Sequence, residues 1–96
     1  MLRGLNRRQC RDAIAARTPF SNSTGSLRGV EGRWNSFGDL NGTEQARYLI
    51  ADPVFTVVSY DTPIAWYSGG QWYKVDQKFS QTTSCHWGMV PAMVKP

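Results

Sequence analysis

Residues 54–76, VFTVVSYDTPIAWYSGGQWYKVD, constrain the fold more than any other part of the chain. Three β-branched and aromatic runs, 54–60, 64–68 and 71–76, are separated by Asp61-Thr62-Pro63 and by a turn at Ser68-Gly69-Gly70. Spacers this short can join only antiparallel neighbours. The first run is apolar on both faces, so it is expected at the centre of a sheet. In the third, Trp72, Lys74 and Asp76 share one face and Tyr73 and Val75 the other. FSQTTS, residues 79–84, reads as a fourth edge strand or as the approach to a final turn of helix.

Upstream of Pro53 the pattern is helical. Residues 6–17, NRRQCRDAIAAR, form an expected helix with Asn6 as N-cap and Gln9 completing a capping box. At 100° per residue Cys10, Ala13 and Ile14 share one face, and Arg7, Arg8 and Arg11 lie on the adjoining face. Thr18-Pro19 ends the helix, because a residue before proline avoids the α region. FSNSTGS reads as a loop, with Leu27 and Val30 marking a short strand or turn that reaches the core. Asn41 caps a second short helix over about 43–51, with Glu44 at its third position and Asp52-Pro53 as its stop.

A chain of 96 residues has room for one domain. The expected class is α+β: a three- to four-stranded antiparallel meander over about 54–84, packed against one or two N-terminal helices. The segments are a basic N-terminal helix (1–19), a loop plus short helix (20–53), the meander (54–88) and a tail (89–96). If the helices cover only one face of the sheet, the other is free to bury itself in a homodimer.

Charge is distributed unevenly. Residues 1–33 carry seven Arg (3, 7, 8, 11, 17, 28 and 33) against Asp12 and Glu31, a net of +5. The remainder holds four bases against five acids, a net of −1. Arg3, Arg7, Arg8 and Arg11 are therefore a candidate basic surface for phosphate or carboxylate. The N-terminus MLRGLNRRQ lacks the apolar run of a signal peptide, and no stretch approaches the ~20 apolar residues that span a bilayer. With only Cys10 and Cys85, a reducing cytosol with two free thiols is expected, and no membrane insertion. The sequons at Asn22 and Asn41 then serve as turn and cap residues.

The segment FSQTTSCHW (79–87) gathers hydroxyls, a thiol and the only histidine. Adjacent Cys85 and His86 diverge on either a strand or a helix, so they are poorly placed as nucleophile and base. Cys and His total three, short of a four-ligand zinc site. No Walker A or G-x-G-x-x-G run is present. No catalytic set, metal or cofactor is expected. If the segment is extended, Ser80, Thr82, Ser84 and His86 line one face as a candidate polar strip. The alternative is local capping by the hydroxyls. Trp66, Tyr67, Trp72 and Tyr73 flank the tight Gly-Gly turn. They are candidate protein-binding residues if exposed, and core if not.

Ser59-Tyr60, Thr62-Pro63-Ile64-Ala65-Trp66, Trp72 and the Phe79–His86 segment together read S-Y-x-T-P-I-A-W, a gap with W, then Y/F-S-x-T-T-S-x-H. This pattern resembles small proteins of unknown function from actinobacteriophages, including phages of mycobacteria. Asn22-Ser23 and Ser26-Leu27 resemble an upstream part of it, so the resemblance spans residues 20–88. It brings no enzymatic activity. Members often carry Arg after T-T-S where this chain has Cys85, which counts against Cys85 as a required nucleophile. The resemblance implies a phage accessory protein of the host cytoplasm, expected to bind a host protein and to interfere with host growth or competing phages. The alternative is a nucleic-acid-binding regulator that uses the Arg-rich helix.

Overall fold

The computed structural model describes residues 1–90. Its centre is a six-stranded sheet in sequential order, β1 (Leu2–Leu5), β2 (Phe20–Asn22), β3 (Leu27–Glu31), β4 (Phe55–Ser59), β5 (Thr62–Ser68) and β6 (Gln71–Lys74). All pairings are antiparallel except β1 with β2. Parallel neighbours need a crossover, and helix α1 (Arg7–Ala16) supplies it. Helix α2 (Gly42–Ile50) precedes β4, and helix α3 (Gln81–Gly88) follows β6.

The local signals at α1 behave as their chemistry requires. Asn6 Oδ1 accepts from the Gln9 N–H at 2.9 Å, and Gln9 Oε1 accepts from the Asn6 N–H at 3.0 Å. The buried residues of α1 are Cys10, Ala13 and Ile14. Arg17 ends the helix in the left-handed region (φ 52°), where its N–H and that of Thr18 satisfy Ile14 and Ala13 carbonyls. At α2, Asn41 Oδ1 accepts from the Glu44 N–H at 2.9 Å.

Three expectations need correction. First, the sheet has six strands: 20–26, expected as a loop, holds strand β2 and a hairpin turn, and the short strand or turn expected at Leu27 and Val30 is strand β3. The hairpin turn is spanned by side chains: Asn22 Oδ1 accepts from the Leu27 N–H at 3.2 Å, Asn22 Nδ2 donates to Ser26 Oγ at 3.1 Å, and Thr24 Oγ1 lies 2.8 Å from Ser26 Oγ. Strands β1 and β2 have four and three residues, too few to show a period. Second, the β4–β5 turn is Tyr60-Asp61, not Asp61–Pro63. Thr62 pairs with Ser59 and Pro63 with Val58, and the register shifts beside the proline. Third, the meander ends at Lys74, so residues 81–88 are helix rather than part of the meander or an edge strand.

Strand β4 is central, and all five of its residues are buried. The two-residue turn Gly69-Gly70 has φ of 59° and 81°, a geometry open to glycine and matched to strand twist. Both faces of the sheet are covered by helix. On one face α1 packs on Phe20, Leu27, Phe55, Val57 and Trp72, with Met89 and Val90 from beyond α3. On the other face Leu40 and Tyr48 of the α2 region pack on Trp66 and Val75. The one-sided arrangement that would leave a face for a homodimer is therefore not what the chain builds. Of the expected tail, Met89 and Val90 are core, and residues 91–96 lie outside the described part.

Candidate functional site

Helix α3 forms because Ser80 caps it: the Ser84 N–H bonds the Ser80 carbonyl at 2.8 Å, and the Thr83 N–H reaches Ser80 Oγ at 3.4 Å. The helical period breaks up the expected polar strip. Ser80, Thr82 and Ser84 are exposed, whereas Thr83 and His86, three apart, turn inward. Their inward face meets Ser59 at the end of β4. Ser59 Oγ lies 2.7 Å from His86 Nδ1 and 3.1 Å from Thr83 Oγ1. Ser59 is 1% exposed and His86 9%.

The adjacent turn is also tied down. Tyr60 sits in the left-handed region (φ 59°), an uncommon state for a bulky residue. Its N–H bonds the Ser26 carbonyl at 2.7 Å, and its ring lies 6.2 Å from that of His86. Asp61 accepts from Trp34 Nε1 at 3.1 Å and from Ser36 Oγ at 2.7 Å. Thr62 Oγ1 accepts from the Asp39 N–H at 2.9 Å. The S-Y-x-T and T-T-S-x-H segments thus converge on one corner of the domain, and Ser26 of the upstream segment touches it.

Beside this corner lies a cavity of about 230 Å³, walled by α1, the β2–β3 turn and α3. Cys10, Cys85 and His86 all line it, as do Arg7 and Asn22. Cys10 is buried, and burial pushes its thiol pKa up, away from the reactive thiolate. The Cys85 thiol is free and exposed. Burial, and secondarily the Arg7 charge, hold His86 below its ordinary value of 6.5. Among the described residues, no group of three or more His, Cys, Asp or Glu is placed to hold a metal ion.

The four aromatics meet across the β5–β6 hairpin, Trp66 opposite Tyr73 and Tyr67 opposite Trp72, but on opposite faces of the sheet. Trp66 (3% exposed) and Trp72 (8% exposed) are core. Trp66 has the rings of Tyr48 and Tyr73 at 4.7 and 4.9 Å. Tyr67 is half-buried under the Arg17 guanidinium, 4.2 Å from its ring. The Tyr73 hydroxyl donates to buried Glu44 at 2.9 Å, and its pKa is pushed up to about 12 by burial and by that carboxylate. The pairing is as expected, but the exposed aromatic platform is absent.

Arg3, Arg7, Arg8 and Arg11 are all exposed. Arg7, Arg8 and Arg11 line a shallow depression on α1 with Asp12. None of the four joins an ion pair among the described residues.

The sequence reading missed Ser59, Asn22, Asn6 and Cys10 as site residues. Ser59 lay in an apolar strand and carried no chemical signature of its own. Two signals were available: the place of Ser59 in the S-Y-x-T segment, and the spacing of Thr83, His86 and Trp87, which suits the inner face of a capped helix better than a strand.

Fold and corner define a small α+β domain in which a helix is pinned to the central strand by a buried Ser–His–Thr cluster. Residues 16–90 match a family of unknown function (DUF8033), and the chain belongs to that family. No curated protein and no solved structure matches it. The matched segment contains Ser59, Thr83 and His86, whereas Arg3, Arg7, Arg8 and Arg11 precede it.

Proposed function

We propose that the protein is a non-catalytic binding module of the host cytoplasm, the product of a phage, which acts by docking on a host protein and so interferes with host growth or with competing phages. The observation that supports it is an aliphatic cluster at the end of α2. Leu49 is 60% exposed, Ile50 86% and Val54 59%. Single exposed aliphatics are ordinary, but three within six residues form the kind of surface a partner covers. Burying each side chain contributes about 1.5–3 kcal/mol to an interface. The rigid base is Arg33, whose guanidinium bonds the carbonyls of Tyr48 and Ala51 at the helix end. The Ser–His pair fits a structural role better than a hydrolytic one. Its serine is buried, both neighbours occupy its hydroxyl, and no described carboxylate bonds the histidine.

The test is capture from host lysate after nuclease treatment, using the wild type beside a Leu49→Ser, Ile50→Ser variant. The reading expects one host protein on the wild type and none on the variant. Equal capture by both would remove the α2 patch as the docking surface.

A second reading, a nucleic-acid-binding regulator, draws on the unpaired exposure of Arg3, Arg7, Arg8 and Arg11. It expects capture to vanish with nuclease. It also expects affinity for duplex DNA to fall steeply with salt, the log–log slope approaching the number of phosphate contacts.

A further inference from the structure

The cavity between α1, the β2–β3 turn and α3 is built differently from either surface above. At about 230 Å³ it falls below the ~300–1,000 Å³ of pockets for drug-sized ligands, so it suits a small solute. Leu5, Cys10, Leu27 and Met89 give it an apolar wall. Among the described residues Arg7 is the only charged one that lines it, and no carboxylate does.

Hydrogen-bond accounting shows what is left over in that space. Asn6 Oδ1 is spent on the capping box, and the Asn22 amide on its own turn. Unspent among the described residues are the Arg7 guanidinium, the Asn6 Nδ2 amide, the Ser23 hydroxyl and one nitrogen of His86. Ser59 Oγ donates to Thr83 Oγ1, so the bond between Ser59 and His86 is donated by the imidazole Nδ1–H. The neutral ring therefore keeps a bare Nε2, which has no partner among the described residues. His86 is 9% exposed and lines the cavity; no unpartnered side-chain nitrogen or oxygen among the described residues is fully buried, so Nε2 is open to solvent there. Protonation makes Nε2 a second donor beside Arg7, a costly pairing of like charges unless an anion lies between them.

We propose that this cavity binds a small oxyanion, a carboxylate or phosphate-type group, between the Arg7 guanidinium and the protonated ring of His86. Binding takes up a proton on Nε2, and affinity falls as pH rises through the His86 pKa. Among the described residues, the titratable groups that share the cavity with His86 or lie against its ring are these. Arg7 and Cys10 come from α1, Cys85 from α3, and Tyr60 from the β4–β5 turn. On the far side of Ser59 and Thr83, Asp39 and Lys78 line a separate depression. Of these, only Arg7 acts on the ring by charge.

His86 is the only histidine, so its ring signals in an NMR titration are unambiguous. The experiment follows the His86 midpoint on the full chain in chloride, and then in sulfate, inorganic phosphate or acetate at matched ionic strength. At least one oxyanion is expected to raise the midpoint by about one unit over chloride, the size of shift an opposite charge at close range produces. A response to sulfate and phosphate identifies a tetrahedral ligand, and a response to acetate alone a carboxylate. In Arg7→Gln the chloride midpoint rises and the oxyanion response disappears, whereas Arg8→Gln, outside the cavity wall, keeps it. The proposal is overturned if every oxyanion leaves the midpoint where chloride leaves it, or if Arg7→Gln responds like the wild type. Leu49, Ile50 and Val54 are not part of this site, so the result is independent of the α2 docking test.

Discussion

Replacing Ser59 with Ala isolates the cluster that pins α3 to the sheet. The change is nearly isosteric, so it opens no sizeable cavity in a site that is 1% exposed. It removes two hydrogen bonds, of 2.7 Å to His86 and 3.1 Å to Thr83. The His86 Nδ1–H is then left buried without an acceptor. An unsatisfied buried donor costs about 1–3 kcal/mol, more than the net value of the bond itself. For a domain of this size each kcal/mol lowers Tm by roughly 4–8 °C, so the expected drop is on the order of 4–20 °C. Urea unfolding at neutral pH, followed by circular dichroism and tryptophan fluorescence, measures it directly. Thr83→Val alone is expected to cost less, because Thr83 receives Ser59 rather than anchoring the ring. The double variant should then fall short of the sum, since all three groups form one network. A Ser59→Ala protein within about 0.3 kcal/mol of wild type would falsify the argument. It would mean that packing, not the buried polar cluster, holds α3 in place.

The remaining predictions address other parts of the molecule. Gly29→Ala places a Cβ 2.5 Å from the rings of both Phe20 and Phe55, so it should overpack the core and cost about 1–3 kcal/mol in the same urea assay. Tyr48→Phe deprives the Trp34 N–H of its acceptor at 2.7 Å, while Thr56 keeps its bond to the Gly32 carbonyl; a loss of about 1–3 kcal/mol is expected. His86 titrates below 6.5 when folded, so as pH falls the unfolded chain takes its proton first. Its contribution is fully present above pH 6.5 and declines as pH drops from there toward the folded value. His86→Gln should therefore flatten the stability profile over that window, and parallel profiles would contradict the burial of the ring. Leu49→Ser with Ile50→Ser should leave stability within about 0.5 kcal/mol of wild type, as expected for exposed positions away from structural features. A larger loss would show that the patch belongs to the core.

What was legible in the sequence is what neighbours along the chain decide. The Asn6–Gln9 box, the Asn41 cap, the Gly69-Gly70 turn and the β4–β6 meander rest on residues at most a few positions apart, where propensity and capping act directly. The inward face of α1, Cys10, Ala13 and Ile14, followed from helical period alone. Strands β1 and β2 were not legible. Leu2–Leu5 and Phe20–Asn22 are extended only because each pairs with a neighbour, and their parallel pairing depends on where α1 delivers the chain. Helix α3 was left open between an edge strand and a final turn of helix for a related reason. Hydroxyl residues alternate at 80, 82 and 84, but burial against the sheet selects 83 and 86. The aromatic hairpin was paired correctly and its environment left open between core and surface, because only the placement of α1 and α2 on opposite faces decides that Trp66 and Trp72 are covered. The Ser59–His86 contact joins residues 27 positions apart. Sequence fixes which side chains can hydrogen-bond, and only the crossing of β4 by α3 makes these two meet.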